Sequence, residues 1–178
     1  MTYTIHAKIL PLTTLAGHAY LEIFDKKGER VCQINGFATD VRTQKSKAVG
    51  APWDQIKAYI SKHAILAVTE NATADKHVHK GFKLADIEDI NALNDLMSAL
   101  QKRADEINAM QLRYKLLSQN SNTIFAEMLI VIAEKLSLPL DDFFKQTLSI
   151  QAFLPGLQTR LQDKSLSPQA PKPKKYKP

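Results

Sequence analysis

The chain has 178 residues, enough for one ordinary domain and too few for two comfortable ones, and 44% of them are hydrophobic, so a packed core is expected. Its formal net charge of +6 is concentrated at one end: residues 164–178 hold Lys164, Lys172, Lys174, Lys175 and Lys177 and no acid, leaving 19 basic against 18 acidic residues in 1–163. A nearly neutral body argues against nucleic-acid binding, the lone Cys32 excludes a disulfide framework, and no apolar run approaches the ~18 residues of a membrane span.

The expected organisation is one α+β domain over residues 1–163 and a disordered Pro/Lys tail over 164–178. No basic segment followed by an apolar one opens the chain. The expected location is therefore the cytoplasm, or outside the cell by a route that needs no cleaved signal peptide. Residues 2–10 (TYTIHAKIL) alternate as a strand that Pro11 closes. Residues 18–25 (HAYLEIFD) place Ala19, Leu21 and Ile23 on one face and His18, Tyr20, Glu22 and Phe24 on the other, the pattern of a half-buried strand.

Lys26-Lys27-Gly28-Glu29 reads as a hairpin turn and 30–36 (RVCQING) as its returning strand, which brings Gln33–Asn35 toward His18–Tyr20. Residues 38–52 read as a loop, 53–60 as a short amphipathic segment and 63–70 as a third strand. From Leu84 to about Met110 the apolar spacing of three and four predicts a long helix with one buried stripe. A second helix begins near Asn122 and buries Ile124, Phe125, Met128, Leu129 and Ile132, ending at Leu138-Pro139.

Several side chains bear on chemistry. His77-Val78-His79, with Asp75 and His63, falls short of a recognisable zinc pattern and reads as solvated loop; no metal or organic cofactor is expected. Cys32 reads as a small core residue. Asn120-Ser121-Asn122 opens the second helix, where such residues serve as caps. The same position suits a nucleophile, because the helix dipole and the first-turn N–H groups favour developing negative charge. A serine hydroxyl needs a base, and His18 is the candidate.

The order "GHAYLEI", then "RVCQINGFATD", then "RYKLLSQNSNTIFAEML" resembles the circularly permuted papain-like hydrolases, which include permuted NlpC-type enzymes and the lecithin:retinol acyltransferase-like group. In that group an early strand carries a histidine, and a later helix starts with the nucleophile, commonly in an N-C-x-x-F or N-C-N-T-like motif. The resemblance implies His18 as base and Ser121 as nucleophile, with Ser where the group has Cys. The residue orienting the imidazole would come from the next strand, with Gln33 and Asn35 as candidates and Asp40 more distant; Asn120, Asn122 and Tyr20 would line the site.

The fold then expected is an antiparallel sheet packed on a long helix and on a central helix carrying Ser121. The expected activity is acyl hydrolysis or transfer at an amide or ester of a peptide, protein or lipid. Similar small hydrolases include exported bacterial effectors. The competing expectation is a non-catalytic interaction module of the same fold, with Ser121 a cap, His18 structural and the long helix a surface for a protein partner.

Overall fold

The computed structural model describes residues 2–12, 17–47, 49–62, 80–150, 154–158 and 161. Among these residues six strands and three helices follow one another: β1 (Tyr3–Pro11), β2 (Gly17–Phe24), β3 (Arg30–Thr39), β4 (Ser46–Lys47), β5 (Gln55–Ser61), β6 (Lys80–Ile87), α1 (Ile90–Ala109), α2 (Ser121–Leu136) and α3 (Leu140–Ile150). All strand pairings are antiparallel, and the α+β class expected from the sequence is the class observed. No described helix is long and apolar enough to cross a membrane.

The hairpin of β2 and β3 turns on Gly28, whose φ of 78° lies in the left-handed region that glycine enters without a Cβ penalty. Asp25 braces the turn by accepting the N–H groups of Lys27 and Glu29. β1 lies on the far side of β2, and β6 beyond β1. On β3, β2 pairs with residues 30–34 and β4 with 38–39 along one edge, while β5 runs along the other. β2 and β3 therefore part beyond the Leu21–Ile34 pair.

One face of the sheet carries Ile5, Ala7, Ile9, Ala19, Leu21, Ile23, Cys32, Ile34, Ile56 and Ala58 into the core. Against them pack Leu93, Leu96, Leu100, Ala104 and Ile107 of α1, and Ile124, Phe125, Met128, Leu129 and Ile132 of α2. Cys32 sits in this core, its Sγ 3.7 Å from Met97 Sδ, and burial pushes its thiol up to about 12, which keeps it an unreactive thiol. A salt bridge of Arg103 to the buried Glu127 (2.7 Å) ties α1 to α2, and Glu127 also accepts the Leu161 N–H.

Gly36 marks the closest approach of α2 to the sheet. A Cβ there would lie 2.5 Å from Ile124 Cβ and 3.0 Å from the Ser121 carbonyl oxygen. Gly36→Ala is therefore expected to push the first turn of α2 off β3 and to cost about 1–3 kcal/mol, as overpacking of a filled core does; urea unfolding measures it.

Four expectations need correcting. The segment 53–60 is not one amphipathic unit: 53–54 belong to a bend, and Gln55–Ser61 forms strand β5, where Ile56, Ala58 and Ile60 alternate toward the core. Residues 38–52 are not all loop: β3 continues to Thr39 and β4 pairs with its end. The long helix does not start at Leu84. Leu84–Ile87 belongs to β6, where the register passes from Lys83↔His6 to Ala85↔Ile5 and leaves Leu84 as an extra residue. That bulge shifts the strand's alternation by one, so Leu84 and Ile87 are both buried three apart and imitate a helical stripe. Asp89 then caps α1 through the Asn91 N–H.

The fourth correction concerns β2, which is buried on both faces rather than half-buried. The candidate strand 63–70, His63, Asp75, His77, His79 and the tail 164–178 lie outside the described residues. Among the described residues no group of three His, Cys, Asp or Glu side chains could hold a metal ion.

Candidate functional site

On the face of β2 and β3 turned away from the helices, polar side chains are buried in a row. Its outer part is a charge cluster. Glu22 lies 2.5 Å from Lys8 Nζ and 2.9 Å from Arg30 Nη1, and accepts a hydrogen bond from Gln33 Nε2 at 3.1 Å. Burial works against the Glu22 charge, and the hydrogen bonds from Lys8, Arg30 and Gln33 outweigh it, so its pKa is lowered. Gln33 thus serves Glu22, whereas Asn35, two residues along the same face, reaches His18.

His18 is fully buried and its Nε2 is 2.7 Å from Asn35 Oδ1. The ring stacks on Phe37, with centroids 5.3 Å apart, and on Tyr20 at 6.2 Å. An amide oxygen accepting from Nε2–H leaves the lone pair on Nδ1, which is buried and has no hydrogen-bond partner among the described residues; the same holds for Asn35 Nδ2. Desolvation is the main influence on the imidazole and takes its pKa down to about 4, against which the Asn35 hydrogen bond works only partly. His18 is therefore neutral near pH 7, with its basic nitrogen fixed by a neighbour.

The helix that carries Ser121 reaches this histidine through Asn122. Asn122 Oδ1 accepts the Ala19 N–H at 2.9 Å, and its Nδ2 donates to the Gly17 carbonyl at 3.1 Å and to the Pro155 carbonyl at 3.2 Å. The Gly17 carbonyl and Ala19 N–H are the groups that a neighbouring strand would engage, and here the side-chain amide takes its place. One residue of α2 thereby clasps the peptides on both sides of His18. Ser121, the residue before it, is 5% exposed, with its carbonyl against Gly36. No hydrogen bond joins Ser121 to His18 among the described residues.

Asn120 has a different task. Its Oδ1 accepts the N–H groups of Asn122 (2.9 Å) and Thr123 (3.4 Å), and Thr123 Oγ1 accepts the Asn120 N–H, a reciprocal cap. Its Nδ2 donates to the Leu116 carbonyl. The Asn122 N–H is therefore engaged, as are the Nδ2 groups of both asparagines. Of the first-turn donors expected to hold an oxyanion, the cap leaves the Ser121 N–H without a partner among the described residues.

The structure brings together His18, Asn35, Tyr20 and the Asn120–Asn122 turn, and it leaves Gln33 in the Glu22 cluster. Asp40 stands apart, braced by the Arg42 and Thr43 N–H groups and by Lys47. Sequence reasoning missed Phe37, which stacks on His18, and Pro155-Gly156, whose backbone packs on Asn122, Thr123 and Asn120. Nothing local to the Pro-Gly step links it to a helix more than thirty residues earlier. Compared with protein-family models, with curated proteins and with solved structures, the chain matches none.

Proposed function

We propose that the protein is an acyl hydrolase or transferase acting on an amide or ester through Ser121, His18 and Asn35. The observation that supports it most is the pairing of His18 Nε2 with Asn35 Oδ1, which leaves Nδ1 as a base on the strand to which Asn122 clamps the start of α2. In the step this implies, Nδ1 takes the Ser121 hydroxyl proton as Oγ adds to the carbonyl carbon. The imidazolium then returns that proton to the leaving amine or alcohol as its bond to the acyl carbon breaks. Water, deprotonated by the same nitrogen, releases the acyl group, and the Ser121 N–H is the donor available to the oxyanion.

A serine-reactive fluorophosphonate tests this reading. Ser121 is expected to be labelled in the native protein and unlabelled in Ser121→Ala and His18→Gln. Because burial lowers the His18 pKa, the labelling rate is expected to hold from neutral pH down to about pH 4.5 and to fall near pH 4. Absence of adduct from natively folded protein across several acyl probes would overturn the proposal.

That outcome would favour a second reading, a non-catalytic interaction module. It is supported by the full burial of His18 and by the lack of a hydrogen bond from Ser121 to it among the described residues. There the His18–Asn35 pair, stacked on Phe37, fixes the register of β2 and β3.

A further inference from the structure

Two surface turns are tied to Arg113, just ahead of α2. The first is the Pro52-Trp53-Asp54 bend that leads into β5; the second is the Lys115–Gln119 turn that leads into Asn120. Arg113 joins them. Its Nη1 donates to the Trp53 carbonyl at 2.7 Å, Arg113 pairs with Gln55, and the Tyr114 N–H bonds the Asp54 carbonyl at 2.9 Å. Trp53 and Arg113 also share a cavity of about 400 Å³ with Asp40, Val41 and Arg42.

The tips of these turns have the wrong chemistry for solvent. Surface turns ordinarily carry Gly, Asn, Asp, Ser or Pro, yet Leu116 and Leu117 sit on theirs at 55% and 68% exposure, and Trp53 is 63% exposed on the other. The Leu turn is held firmly: Lys115 and Gln119 exchange backbone hydrogen bonds at 2.8 and 2.9 Å, and Asn120 grips the Leu116 carbonyl. Packing among the described residues therefore does not use these side chains, although backbone hydrogen bonds fix the turn that presents the leucines.

Cations outnumber acids around them. Arg42, Lys45, Arg113 and Lys115 are exposed and have no carboxylate partner among the described residues. The two acids nearby, Asp40 and Asp54, are both held by Lys47, at 3.2 and 3.1 Å. A protruding aromatic, an aliphatic pair and an excess of exposed cations is the combination that binds the interface of an anionic bilayer. There the rings and leucines enter the headgroup boundary while the cations meet lipid charge. A soluble polyanion would satisfy the cations and leave the apolar tips in water.

We infer that the turns carrying Trp53 and Leu116-Leu117 form a docking surface for an anionic lipid bilayer. This inference does not rest on the acyl-transfer reading. It places the first turn of α2 next to the bilayer whatever that turn does.

Trp53 is the single tryptophan of the chain, so its emission reports this surface alone. With full-length protein and vesicles of phosphatidylcholine and phosphatidylserine, the emission is expected to shift to the blue and to be quenched by brominated acyl chains. Added salt or the omission of phosphatidylserine weakens both effects. Exchanging both leucines, Leu116→Ser with Leu117→Ser, is expected to lower vesicle affinity roughly tenfold or more, with the thermal midpoint unchanged because neither side chain packs in the core.

Vesicle sedimentation with unmoved Trp53 emission would assign binding to the Lys-rich tail and overturn the inference. The same blue shift with heparin in place of lipid would overturn it in favour of a soluble polyanion, and no shift at all would remove it. None of these readouts involves acyl chemistry, so their failure leaves the Ser121 proposal to its own test.

Discussion

Asn122→Ala is expected to destabilise the protein by about 3–4 kcal/mol, near the upper end for single substitutions. The substitution leaves the Ala19 N–H and the Gly17 and Pro155 carbonyls without their present partner at a site that is 3% exposed. A buried polar group deprived of its hydrogen bond costs about 1–3 kcal/mol. Water reaching the 154–158 turn relieves the Pro155 carbonyl more easily than the two groups on β2, hence a total below the simple sum. Urea unfolding at neutral pH measures the loss.

Two comparisons make this specific. Asn120→Ala removes a helix cap and is expected to cost about 1–2 kcal/mol, clearly less than Asn122→Ala. Asn122→Asp keeps an acceptor for the Ala19 N–H but turns a second oxygen toward two carbonyls, so it is expected to be at least as damaging as alanine. Equal and small losses at positions 120 and 122 would mean that both asparagines are simple caps and that the clasp around His18 contributes little.

The second large effect is a dependence of stability on acid. In the unfolded chain His18 takes up a proton near its ordinary pKa of 6.5, whereas burial holds it down to about 4 in the fold. Between these values the unfolded state binds more protons, so stability falls as pH falls. The contribution of His18 is complete above pH 6.5, declines through the window and is gone below about pH 4, a loss of about 3 kcal/mol at 1.36 kcal/mol per pH unit.

Glu22 acts in a lower window. Its pKa is lowered from 4.5 by Lys8 and Arg30, so its contribution is present above 4.5 and is lost as pH falls through the depressed folded value. His6 is also lowered, chiefly by desolvation, and adds to the same slope as His18. The discriminating measurement is therefore a difference. Unfolding midpoints at pH 7 and pH 4.5 are compared for the native protein and for His18→Gln, whose amide can still donate to Asn35. The native protein is expected to lose markedly more stability between the two pH values. Parallel losses would show that His18 is not held neutral by the fold.

These effects rest on features that the sequence disclosed unequally. Alternation in HAYLEIFD placed Ala19, Leu21 and Ile23 opposite His18, Tyr20 and Glu22, and the Lys-Lys-Gly-Glu turn paired that strand with the next. A two-residue period and a glycine turn are local constraints, so both survive in the fold. The stripe of Ile124, Phe125, Met128, Leu129 and Ile132 was legible for the same reason, as was the Asn120 cap, whose partners lie within three residues. Where a local signal misled, another local device had altered the period, as the bulge at Leu84 did in β6.

What the sequence could not decide is which of two chemically similar residues does which task. Gln33 and Asn35 share a face two residues apart, and only the sheet places Arg30 and Lys8 around Glu22, drawing Gln33 there and leaving Asn35 to His18. Asn120 and Asn122 flank one serine, and only the parting of β2 from β3 exposes the Gly17 and Ala19 peptides to which Asn122 can bind. The sequence by itself determined the α+β class, the β2–β3 hairpin and the helix that starts at Ser121, because each depends on neighbours in the chain. The burial of His18, its pairing with Asn35 and its attachment to that helix were decided by tertiary structure, because each depends on groups 17 to 105 residues apart meeting where water is excluded.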